Sequence, residues 1–66
     1  MNRLLKFFVY AHLPERLQIA SKACHVLAWE MDKLLPESAE KTAGLRKLLE
    51  AKDCFVRALL DEGDRT

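Results

Sequence analysis

An all-α fold is predicted here: two amphipathic helices in an antiparallel hairpin, preceded by a short arm and assembled into a homo-oligomer. Three observations carry that expectation. Apolar residues recur at three-and-four spacing along two long stretches, Pro14 and Pro36 cut the chain where those stretches meet their neighbours, and the link between them is only Pro36-Glu37-Ser38.

Residues 1–13 form the arm. Its opening, Met1 to Tyr10, is basic and apolar like a targeting signal, but the apolar run is too short to span a bilayer and no small-residue cleavage site follows. It reads as a folded arm that becomes extended at Tyr10-Ala11-His12-Leu13, since a residue before proline is biased away from the helical region. Pro14 suits the first position of a helix, and Glu15 beside it suits the positive helix end.

The first helix is expected over residues 14–35, with a stripe of Leu17, Ala20, Cys24, Leu27, Ala28, Met31, Leu34 and Leu35. Pro36 ends it, and Ser38 is placed to cap a second helix over residues 39–62, before a tail at 63–66 that Gly63 opens. The second stripe is Leu45, Leu48, Leu49, Phe55, Val56, Leu59 and Leu60. A link this short makes the helices antiparallel neighbours.

The chain has 66 residues, half of them hydrophobic, and 11 basic against 10 acidic side chains. A domain of this length buries only about 60% of the surface its unfolded chain exposes, so stability calls for staples or partners. Cys24 and Cys54 have no metal-ligand spacing, and two buried free thiols are expected rather than a bridge. Self-association is the remaining route. The near balance of charge argues against a general polyanion coat.

Several residues do not fit a two-helix core. Trp29 projects away from the first stripe, near Gln18, Lys22 and His25, while Ile19 and Val26 lie on another flank. Such residues mark either a protein contact or, for Trp29, a platform for a flat ligand. Lys52 interrupts the second stripe, its ammonium reaching water, an anionic ligand or Glu50 of a neighbouring subunit. Lys41, Arg46 and Lys47 cluster with Thr42 in the first turns of the second helix, where unsatisfied N–H groups already favour an anion. Glu50 and Asp53 share a face with Arg46 and Arg57, a spacing suited to ion pairs one turn apart. Catalytic spacing is missing: Cys24 and His25 are adjacent, which on a helix turns them about 100° apart. A binding protein without a cofactor or metal is expected, not an enzyme.

One layout is distinctive. Phe8, Tyr10, His12 and Pro14 alternate along the arm. Leu35-Pro36 makes the turn, and Glu40-Lys41-Thr42 is followed by Leu45, Lys47, Leu48, Glu50 and Ala51. This pattern resembles the phage nucleotide-sponge hairpins that counter the bacterial CBASS and Thoeris defences, over Phe8 to Arg57. It departs from them in two places: Ala11 and Leu13 interleave what the family writes as Tyr-His-Pro-Pro, and Asp53-Cys54-Phe55-Val56 stands where an aromatic and an asparagine are usual. The resemblance implies a hairpin homo-oligomer, often hexameric, that binds cyclic di- or trinucleotides in the host cytoplasm without cleaving them. Phe8 or Tyr10 would then stack on bases, with His12 beside them. Lys41, Thr42, Arg46 and Lys47 would hold phosphates. Two other readings stand beside it. One is an interaction module docking through Trp29, Ile19 and Val26. The other is a weak nucleic-acid binder using Arg3, Lys6, Lys41, Arg46 and Lys47.

Overall fold

The computed structural model describes residues 1–64, with side chains through Asp61. Two long helices, α1 (Glu15–Leu34) and α2 (Ala39–Asp64), pack side by side, and a 3-10 helix over Arg3–Phe8 lies against both. Among the described residues there is no strand, and no helix is long and apolar enough to cross a membrane.

The helix boundaries follow local chemistry. Pro14 is the N-cap of α1 rather than its first residue, and its carbonyl accepts from the Leu17 N–H at 2.9 Å. Ser38 caps α2 as expected: its Oγ accepts from the Lys41 N–H at 3.0 Å and its carbonyl from the Thr42 N–H at 3.1 Å. At the other end Gly63 does not stop the helix, which runs on to Asp64. The difference of two residues lies within the usual scatter of helix ends. The last residues of the expected tail, 65 and 66, lie outside the described part.

The core differs from the expected one because the arm is part of it. Leu4, Leu5 and Phe8 are buried, the last two completely, together with Leu17, Cys24, Ala28 and Leu45. On α1 the buried line is Leu17, Ser21, Cys24 and Ala28, turned toward the arm, while Leu27 and Leu34 of the expected stripe are exposed. Three elements share the interior where the periodicity of the two helices alone pointed to two. Trp29 is therefore half-buried, packed against the cluster that includes the arm. Phe55 and Leu60 of the second stripe remain exposed, and so is Cys54, against the expectation that both thiols are buried.

Both ends of the 3-10 helix are pinned by residues distant in sequence. At its start, the Asn2 N–H donates to Asp32 Oδ1 (2.9 Å), its side-chain oxygen accepts from the Leu4 N–H (3.0 Å), and its Nδ2 donates to Thr42 Oγ1 (3.1 Å) and Glu37 Oε2 (3.3 Å). At its end, the Lys52 ammonium donates to the Phe7 carbonyl at 2.9 Å. His25 Nδ1 lies 3.1 Å from the Phe8 carbonyl, and since a carbonyl only accepts, that nitrogen carries the proton. Lys52 thus satisfies a carbonyl that a short helix leaves without a partner.

Candidate ligand cleft

Where the arm leaves the hairpin, the chain makes a fixed corner. The Leu13 N–H donates to the Tyr10 carbonyl at 3.0 Å, and Gln18 Nε2 donates to the Leu13 carbonyl at 2.9 Å. Tyr10 packs edge-on against His25, ring centroids 5.1 Å apart, and His25 in turn lies 6.0 Å from Trp29. This row of rings steadies the corner and leaves His12 exposed at its tip. Opposite it stand Lys52, Asp53, Val56 and Arg57 of α2. Together with His12 and Leu13 they line an open cleft of about 300 Å³.

The cleft carries two permanent cations and one carboxylate. Asp53 lies 3.7 Å from Lys52, and the Arg57 guanidinium donates to Cys54 Sγ at 3.3 Å. The expected pairing of Asp53 with Arg57 is thus replaced: the arm draws Lys52 to its carbonyl, and Asp53 follows Lys52. Arg57 keeps a largely solvent-facing fork, the geometry that matches a phosphate with two parallel hydrogen bonds.

The expected phosphate site at the start of α2 is not assembled. Lys41 is buried, 6% exposed, and its ammonium faces four oxygens: Asp32 Oδ1 at 2.9 Å, Glu37 Oε1 at 2.6 Å, and the carbonyls of Leu35 (2.9 Å) and Asp32 (3.0 Å). It neutralises the C-terminal end of α1, where cations are favoured, instead of meeting a ligand at the start of α2. The hydrogen bond that Lys41 donates to Glu37 is the largest influence raising its pKa above the usual lysine value, and the one it donates to Asp32 is the largest influence lowering that of Asp32. Thr42 has its hydroxyl taken by Asn2.

Phe8 is another correction. Fully buried beneath the Lys52 ammonium, which lies 6.0 Å from its ring centroid, it has no face to offer a base. Arg46 and Lys47 are exposed on α2 but line neither this cleft nor the groove described below. Of the expected ligand residues, the fold brings His12 to the cleft with Tyr10 two residues before it. Lys52 and Arg57, which supply the charge there, were signalled only by a lysine interrupting an apolar stripe and by a basic residue on a solvated face.

A second cavity, about 280 Å³, runs between α1 and α2 on the side away from the arm. Leu27, Met31 and Leu35 form one wall, and Gly44, Leu45 and Leu48 the other, with Glu40 and the stem of Lys41 at one end. Comparison with protein-family models, curated proteins and solved structures produced no match to this chain.

Proposed function

We propose that this chain binds and sequesters a cyclic di- or trinucleotide without cleaving it, as a phage anti-defence protein acting in the host cytoplasm. The observation that carries the reading is the cleft at the arm's corner, lined by His12, Lys52 and Arg57, with Tyr10 two residues before His12 in the chain. A cyclic oligonucleotide offers flat bases and closely spaced phosphates, and rings with cations are the groups that hold them. The resemblance of the arm pattern to the nucleotide-sponge hairpins points the same way.

At about 300 Å³ the cleft sits at the small end of ligand sites, enough for one phosphate with part of a nucleoside. A neighbouring copy would supply the rest, so the proposed active form is a homo-oligomer. Lys41, Thr42 and Phe8 hold the fold together in this scheme, and Arg57, Lys52, His12 and Tyr10 meet the ligand.

The test is a thermal-shift screen against cyclic di- and trinucleotides. A ligand at a hundred times its Kd should add about 2.7 kcal/mol of stability. Arg57→Ala and His12→Ala should abolish the shift while leaving helix content intact, since both side chains are exposed. Silence across the panel would refute the reading, and recovery of hydrolysed nucleotide would refute sequestration.

The apolar groove favours a second reading, a module that docks a partner protein there. On that reading no nucleotide shifts the melting temperature.

A further inference from the structure

We infer that Asp53 makes the cleft at the arm's corner selective for guanine, its carboxylate accepting from the N1–H and the exocyclic amine of the base while the cations beside it take phosphate. This rests on the nucleotide reading above and adds to it which base is chosen.

Four of the six lining residues share one face of α2. Lys52 and Asp53 stand one turn before Val56 and Arg57, about 6 Å along the helix axis. The wall therefore carries a carboxylate and a guanidinium at successive turns, with Val56 between them in sequence. Leu13 and His12 stand across the cleft. Leu13 and Val56, both half-buried, give each wall an apolar element, and flat ligands are held by such walls with a few polar groups to orient them.

Asp53 does not suit a site for phosphate alone, since a carboxylate repels a phosphate brought up beside it. Nor is it consumed by its neighbours. Lys52 lies 3.7 Å away, too far for a good hydrogen bond, and gives its ammonium to the Phe7 carbonyl at 2.9 Å. The Arg57 guanidinium donates to Cys54 Sγ. Among the described residues no hydrogen bond reaches the Asp53 carboxylate, and its side chain is 53% exposed. An acceptor with open lone pairs thus stands between two cations, and the ligand that suits it brings N–H donors as well as phosphate.

Base chemistry then narrows the choice. Guanine sets two N–H groups side by side, N1–H and the exocyclic amine, and a carboxylate takes both in parallel as it takes the fork of an arginine. Adenine and cytosine each place a ring-nitrogen lone pair beside their amine. Uracil flanks a single N–H with two carbonyl oxygens. Against any of these, one carboxylate oxygen meets a lone pair where guanine offers a proton.

Calorimetric titration of the full chain with cyclic di-GMP, cyclic di-AMP and cyclic di-IMP tests this, with circular dichroism following the fold. The guanine ligand should bind at least about tenfold tighter than the adenine one. The hypoxanthine ligand, which keeps N1–H and lacks the amine, should fall between them. Asp53→Asn substitutes an amide that can accept from the adenine amine and donate to its N1, so the guanine preference should vanish or reverse. Loss of a negative charge raises affinity for every phosphate ligand, so the ratio between ligands is the readout. Helix content should not change, because the side chain is exposed. Equal affinity of the wild type for the guanine and adenine ligands, or an unchanged ratio in Asp53→Asn, would overturn the inference and leave sequestration standing. Absence of binding to all three, with other cyclic nucleotides bound, would overturn it in the same way. Absence of binding to any cyclic nucleotide would overturn both.

Discussion

The Lys41 ammonium lies 2.9 Å from the Asp32 carboxylate, joining the start of α2 to the last turn of α1, and the Asn2 N–H rests on the same carboxylate oxygen. Hairpin and arm are thus locked at one point. That point is electrostatic, so it should depend on pH.

The sign follows from the directions of the two shifts. Asp32 titrates below its usual 3.8, chiefly through its hydrogen bond from Lys41, so its contribution is present above that value and is lost as pH falls through the lower folded value. Lys41 titrates above its usual 10.5, chiefly through Glu37, so its contribution is complete below 10.5 and is lost as pH rises through the higher folded value. Asp32→Asn should therefore melt below the wild type by a constant margin between about pH 5 and pH 9, and the margin should shrink in acid. A gap unchanged at about pH 2 would show that the carboxylate charge is not what locks the arm.

Adjacent phenylalanines should behave oppositely. Phe8 is fully buried and Phe7 is half-exposed. Phe8→Ala should cost about 3–5 kcal/mol, enough to unfold a domain of this size, whereas Phe7→Ala should stay within about 1 kcal/mol. Equal effects in urea titrations would mean that the arm does not pack its Phe8 against the two helices.

Ser21 is buried with no hydrogen-bond partner for its hydroxyl. A buried hydroxyl that is unsatisfied costs free energy, and alanine is the better helix former. Ser21→Ala should raise stability by about 1 kcal/mol, measured as a higher urea midpoint at unchanged slope. A loss of similar size would reveal a partner at that hydroxyl.

The sequence alone determined the helices, the turn and the Ser38 cap, because these rest on interactions within a few residues of each other. Periodicity placed α1 and α2, proline and serine punctuated them, and the short link made them antiparallel. What tertiary structure decided was the destination of the side chains that break those patterns. Lys41 reads as an anion ligand because it stands in the first turn of a helix; only the packed hairpin shows Asp32 and Glu37 and the end of α1 surrounding it. Trp29 reads as a surface aromatic because a helical wheel has no place for a third element, Phe8 reads as a base-stacking residue through the family resemblance alone, and Lys52 reads as an intruder until the Phe7 carbonyl arrives beside it. The arm caused the differences at Phe8, Trp29 and Lys52. Its register against the hairpin is set by contacts 30 to 45 residues apart in the chain, and no local spacing encodes contacts of that range.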